Sequence, residues 1–258
     1  MNKLDAVPFT IKDEIASRAR MGLIALATDH VIEHELGFLM QDIKGAQLYT
    51  TKVPMESCVT PETLSAMNSR LTSAARTLLP GNTFDVVGYG CTSASVVIGE
   101  EEVMHSIHAA CPGVKITTPI TACLAALETF NAKTICLLTP YIEDVNVLIR
   151  EYFEARGIDV AVCATFAEIN DNRAGMITPE SIRDAVTNVF SAVDADLIFI
   201  SCTSLRAAQL VPELESILMS NVTTSNHALA WHMLRLAGID DKMPEKGKLF
   251  SSQIKVNN

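Results

Sequence analysis

The sequence predicts an α/β fold built from two pseudo-symmetric lobes, each a mainly parallel sheet flanked by helices, with the functional site in the cleft between them. Three observations lead there. Short aliphatic runs alternate with helical patterns along the whole chain, which is the signature of parallel sheets. The segment Asp85-Val-Val-Gly-Tyr-Gly-Cys91-Thr-Ser repeats as Asp196-Leu-Ile-Phe-Ile-Ser-Cys202-Thr-Ser, 111 positions later. Two further pairings share nearly that offset: Thr117-Thr118 with Thr223-Thr224, 106 apart, and the run ending at Asp29 with the run ending at Tyr141, 112 apart. Three matches at nearly one offset point to a duplicated unit.

The elements follow in order. Met21 to Ala27, Asp85 to Gly88, Thr134 to Leu138, Val160 to Cys163 and Asp196 to Ser201 are short, apolar and mostly aliphatic, as buried parallel strands are. Val114 to Thr117 and Ser220 to Thr223 are weaker strand candidates. Thr60-Pro61-Glu62 caps a helix predicted to run to Leu79, and Thr178-Pro179-Glu180 caps one to Val193. No Gly/Ser-rich linker breaks the chain, so the lobes are expected to be tightly joined. The expected boundaries are residues 1–118 with 226–258 for the lobe carrying Cys91, and 119–225 for the lobe carrying Cys202.

Composition narrows the function. The 258 residues are 48% hydrophobic and carry a net charge of −10, so an ordinary globular protein is expected, with neither nucleic acid nor an anionic membrane as partner. The polar N-terminus has no apolar signal core, and no run approaches a membrane span; a cytoplasmic protein is expected. Seven cysteines with no CxxC pair suggest free thiols, not a disulfide framework or a structural zinc site. Cys123, Cys136 and Cys163 lie in apolar runs and read as core; Cys58 and Cys111 have no partner context.

Each Cys-Thr-Ser follows a strand and precedes a predicted helix. Backbone N–H groups in such a turn, with the hydroxyls of Thr92, Ser93, Thr203 and Ser204, suit a carboxylate. The same field is expected to lower the thiol pKa toward neutrality. A pseudo-twofold axis then sets one thiol on each face of a flat carbon, an arrangement for cofactor-free racemisation or isomerisation.

These residues resemble the aspartate/glutamate racemase superfamily, and within it the maleate cis-trans isomerase and ectoine-utilisation racemase-like branch. The likeness rests on Gly90-Cys91-Thr92-Ser93, Leu138-Thr139-Pro140-Tyr141, Ile200-Ser201-Cys202-Thr203 and Thr224-Ser-Asn-His-Ala-Leu-Ala-Trp231, and it covers nearly all of the chain after residue 20. The resemblance implies a homodimer or higher homo-oligomer, no metal or organic cofactor, a small carboxylate substrate, and catalytic Cys91 and Cys202. It implies substrate contacts from Tyr141 and from Asn172, with Asn170 as the alternative alignment. The maleate branch has asparagine where this chain has Asp29. A carboxylate cannot donate to a substrate carboxylate. So Asp29 is protonated, or turned away, or facing a group other than a carboxylate; an amine is the partner expected here. Capping of the following helix is its plainest structural role.

The sequence also admits rival functions. His30-Val-Ile-Glu33-His34 matches the H-x-x-E-H zinc-peptidase pattern, which would make a zinc hydrolase. Decarboxylation of a malonate-like acid is a further activity of the superfamily, whose decarboxylases keep one cysteine of the two. A two-lobed binding protein would present the same cleft without needing activated thiols. Gly88-Tyr-Gly90 is too short for a dinucleotide fingerprint. His105 and His108 read as surface groups, and Trp231 as core.

Overall fold

In a computed structural model, which describes residues 6–12 and 14–255, the duplication is explicit. The outermost residues of the first expected lobe, 1–5 and 256–258, lie outside the described residues. The first unit runs β1 (Ala19–Leu26), α1 (Ile32–Met40), β2 (Ala46–Val53), α2 (Pro61–Ser65), α3 (Asn68–Ala75), β3 (Val86–Gly90), α4 (Thr92–Ile98), α5 (Glu100–His108), β4 (Lys115–Thr117) and α6 (Pro119–Phe130). The second runs β5 (Thr134–Thr139), α7 (Glu143–Glu154), β6 (Asp159–Thr165), α8 (Asp171–Ala174), α9 (Pro179–Phe190), β7 (Leu197–Ile200), α10 (Val211–Leu218), β8 (Asn221–Thr224) and α11 (Ser225–Leu236).

Each unit forms a four-stranded parallel sheet, ordered β2-β1-β3-β4 in one and β6-β5-β7-β8 in the other. The two orders are the same under the repeat. In such a sheet the crevice for ligands opens where the strand order reverses, between the first and third strands. Ala25 of β1 pairs with Gly90 of β3, and Leu138 of β5 with Ile200 of β7. The residues that follow those four strand ends are Asp29, Cys91, Tyr141 and Cys202. The fold thus places all four at the two switch points.

The central strands are apolar because helices cover both of their faces. β3 and β7 are buried throughout. Two glycines let helices lie directly on β3: a Cβ on Gly88 would come within 2.7 Å of Met233 Sδ, and one on Gly90 within 2.5 Å of Ile32 Cδ1. α11 packs against α1, α6 and β3, and Trp231 within it is fully buried, as expected. Cys123 and Cys136 are core; Cys163 is only half-buried.

Two elements differ from expectation. β2 has no aliphatic run, because Ala46-Gln-Leu-Tyr-Thr-Thr-Lys-Val53 forms a sheet edge with one face toward solvent. The helix expected from Thr60 to Leu79 is two helices. The capping box of Thr60 and Thr63 starts α2, but the Ser69 hydroxyl donates to the Ala66 carbonyl at 3.2 Å at the break. Short hydroxyl side chains compete with the helical ladder in this way.

Candidate active site

Cys91 and Cys202 lie buried where the two lobes meet, 3% and 6% exposed, with Tyr141 as a common neighbour. Cys91 is the N-cap of α4, its Sγ accepting from the Ala94 N–H at 3.4 Å, with the Ser93 hydroxyl 3.8 Å away. The Cys202 Sγ accepts from the Ser204 N–H at 3.4 Å. Tyr141 is buried beside both: its phenol interacts with each thiol and with Ser93. Its backbone is held in place by Asn146, whose amide donates to the Tyr141 carbonyl at 2.8 Å.

Direct bonds stitch the two loops together. The Thr203 hydroxyl donates to the Gly90 carbonyl at 3.3 Å. Ser225, the first residue of α11, accepts from the Cys202 N–H at 2.9 Å and shares a hydrogen with the Thr92 hydroxyl at 2.7 Å. Asn226 donates to the Thr203 carbonyl and to Glu35, both at 2.7 Å, and Glu35 also accepts from the Ala208 N–H at 2.9 Å. Thr92 and Thr203, read from sequence as substrate contacts, therefore have hydroxyls engaged in tying lobe to lobe. Ser93 is the member of the set beside both Cys91 and Tyr141.

Four expectations need correction. The second Cys-Thr-Ser does not open a helix: residues 203–207 form a turn before a short 3-10 segment, Ala208–Leu210. The thiols are not acidified in this closed site. Burial pushes Cys91 up to about 12, with Asp171 and Asp29 adding to it against the Ala94 N–H and Ser93; burial and then Asp171 likewise raise Cys202. One or two N–H groups do not offset the loss of water around a fully enclosed anion. Neither asparagine of the 168–172 loop faces the thiols: Asn172 is exposed, and the Asn170 side chain caps α8 through the Arg173 N–H. The residue between them is the buried one. Asp171 is 3% exposed, accepting from the Ser204 hydroxyl at 2.7 Å and the Thr28 hydroxyl at 2.5 Å.

The fourth correction concerns the zinc pattern. α1 starts at Ile32, so His30 lies ahead of the helix, where its ring bonds the Asn172 carbonyl at 3.3 Å. Glu33 pairs with Lys52 at 2.6 Å. His30 and His34 thus do not share a helical face, and no cluster of three metal-ligating side chains occurs among the described residues.

Asp29 caps the turn that follows it. Its Oδ1 accepts from the Val31 and Ile32 N–H groups at 2.7 and 2.9 Å, as a cap does. Its Oδ2 is buried without a partner, and burial raises its pKa. Asp171 and Ser225 went unread in the sequence. Ser225 had one signal: it stands after Thr224 where the repeat has Pro119 after Thr118, although both threonines cap their helices.

Two equivalent sheets whose paired cysteine loops meet at a buried tyrosine define a two-lobed α/β protein of the aspartate/glutamate racemase-like type. The chain belongs to the arylmalonate decarboxylase family, whose pattern matches residues 53–250. That superfamily holds cysteine-dependent maleate isomerases and arylmalonate decarboxylases. Arylmalonate decarboxylase of Bordetella bronchiseptica is 29% identical over 140 residues, a match spanning 54% of this chain and 58% of that protein. Maleate isomerase of Nocardia farcinica is 24% identical over 240 residues, 89% of this chain and 94% of that one. A structure of a cysteine-to-serine variant of the N. farcinica maleate cis-trans isomerase, with a covalently bound succinylcysteine intermediate, shares the fold at a TM-score of 0.82 and 21% identity, covering 90% of this chain and 98% of that one. An arylmalonate decarboxylase variant with a glycine changed to cysteine and a cysteine to serine matches at 0.79 and 26% identity over 90% and 98%. No helix among the described residues is long and apolar enough to cross a membrane.

Proposed function

We propose that this chain is a cofactor-independent isomerase or racemase of a small carboxylic acid, using Cys91 and Cys202 on opposite faces of the reacting carbon. One observation carries the proposal: two cysteines at equivalent strand ends of a duplicated fold share one enclosed site beside Tyr141. For a racemase, one thiolate withdraws a proton from the carbon and the opposite thiol delivers one to the other face; for an isomerase, one thiolate adds to a double-bond carbon while the other thiol protonates the neighbouring carbon, and after rotation the return of a proton to that thiolate expels the added sulfur and restores the double bond. In the first case the two sulfurs exchange protonation states, in the second both return to their starting states, and in either case substrate and product have the same atoms. Ser93 and Tyr141 are the hydroxyls placed to orient the substrate and to follow charge as it moves.

Decarboxylation of a malonate-like acid is the second reading, favoured by the family match. The cysteine present in both loops favours the isomerase. The arylmalonate decarboxylase variant above gained a cysteine where that protein has glycine, whereas this chain has both already. The test is turnover in heavy water of amino acids, N-acetyl amino acids, maleate and malonates by wild type, Cys91→Ala and Cys202→Ala. Deuterium entering one carbon without loss of carbon dioxide, abolished by either substitution, is the expected result. Equal turnover by both variants would overturn the proposal, and carbon dioxide release would convert it to the second reading.

A further inference from the structure

Two buried aspartates stand near the paired thiols. Asp29 and Asp171 come from different lobes, 2% and 3% exposed. Both act on Cys91 and on Cys202, and Asp171 acts on Asp29. Asp171 has both oxygens engaged, by Ser204 and Thr28. Asp29 has one engaged, by the Val31 and Ile32 N–H groups; its Oδ2 is enclosed and makes no hydrogen bond, because the nearby Thr203 hydroxyl, which would favour the charged form, is directed to the Gly90 carbonyl at 3.3 Å. No lysine or arginine is among the groups that dominate the field at either thiol or at Asp29. The buried cations are occupied elsewhere: Lys246 donates to the Phe38 carbonyl, and Arg235 to the carbonyls of Ile239, Asp241, Phe250 and Ser252. An acceptor oxygen therefore stands unpaired near the reacting sulfurs, backed by a second carboxylate; Lys52, the cation on this turn, is engaged by the Asp29 backbone carbonyl at 2.9 Å and by Glu33. A donor of positive charge is the ligand group that such a place favours most.

We propose that Asp29, backed by Asp171, binds a protonated nitrogen on the substrate, so that the site takes an amine-bearing monocarboxylic acid and rejects maleate and malonate. The proposal rests on the reading above for where the substrate sits, and not on what each cysteine does. It gives the pair a second effect. A bound ammonium group cancels the anionic field that helps keep both sulfurs protonated, so the thiolate becomes accessible when the correct ligand is present. A dianion would deepen that field.

Binding of two sets of probes by the full chain tests this. One set is maleate and malonate; the other is glycine, both alanines and both 2,4-diaminobutyrates. Wild type, Asp29→Asn, Asp171→Asn and Cys91→Ala are compared by calorimetry. Asp29→Asn keeps an oxygen for the Val31 and Ile32 N–H groups, and Asp171→Asn keeps one for Ser204 or Thr28, so the turns remain supported; circular dichroism checks this. Wild type is expected to bind at least one amine-bearing acid. Each aspartate substitution should weaken that binding about tenfold or more and strengthen maleate by a similar factor, since like charges are removed. Wild type binding maleate as tightly as Asp29→Asn does, or binding no amine-bearing acid, would overturn the proposal. Cys91→Ala separates the two claims. Amine binding that survives in it while turnover also survives contradicts the cysteine mechanism and leaves the recognition site standing.

Discussion

Cys91 and Cys202 end equivalent strands and are each followed by Thr-Ser, yet their backbones differ. Cys91 has φ −145° and caps α4, an ordinary extended start to a helix. Cys202 has φ 145°, a conformation that residues with a side chain rarely adopt, and no helix follows directly. The first loop is held mainly by its own helix. The second is held from outside: Ser225 takes its N–H, Asn226 takes the Thr203 carbonyl, and Glu35 takes the Ala208 N–H. Strain of this kind persists only where surroundings over-determine it, and it concentrates at functional positions. A duplicated motif has thus kept its sulfur positions while one copy exchanged local capping for tertiary bracing.

The contrast can be broken in steps. Replacing either sulfur should give the largest effect. Cys91→Ala and Cys202→Ala should each lower turnover roughly 10²–10⁴-fold, the usual range for a general acid or base, measured by deuterium incorporation. The bracing comes next. Burial raises Glu35 to about 7 from an ordinary value of 4.5. A carboxyl with a raised folded-state pKa binds its proton more tightly when folded. Its contribution is therefore fully present below about pH 4.5 and is lost as pH rises through about 7. At about 1.4 kcal/mol per pKa unit that loss is roughly 3 kcal/mol. Glu35→Gln should flatten this part of the stability profile in urea unfolding at pH 4.5 to 7. No such slope is expected from the Cys91 loop.

Ser225→Ala removes the acceptor of the Cys202 N–H and the partner of Thr92 together. It should destabilise by about 1–3 kcal/mol, the cost of leaving a buried donor unmade. Turnover should also fall, because Cys202 loses its anchor. The smallest effect compares glycine with alanine at each cysteine. At position 202 glycine should be more stable than alanine by about 1 kcal/mol, since it relieves the unusual φ. At position 91 the order should reverse or vanish. Equal differences at both positions, read from thermal midpoints, would mean the two backbones are alike.

The sequence disclosed what the repeat could disclose. Asp29, Cys91, Tyr141 and Cys202 lie at equivalent points after apolar strands, so both the lobes and the four strand-end residues could be read in advance. β2 was hidden because an edge strand needs only one apolar face. Asp171 was hidden because its burial is tertiary. Thr28 and Ser204 enclose it, and nothing in Glu168-Ile-Asn-Asp-Asn172 marks the middle acid over its neighbours. The raised thiol pKa is not legible in sequence for a related reason: local N–H groups are visible there, whereas enclosure by a second lobe is not.

Two sulfurs close enough for one small molecule to touch both are the central requirement of this site. Dibromoacetone, whose two reactive carbons flank a single carbonyl, measures that directly, with exposed Cys58 as an internal control. Peptide mass spectrometry should find one three-carbon bridge joining the Cys91 and Cys202 peptides. Separate alkylation of both cysteines with no bridge between them would contradict a shared reaction centre.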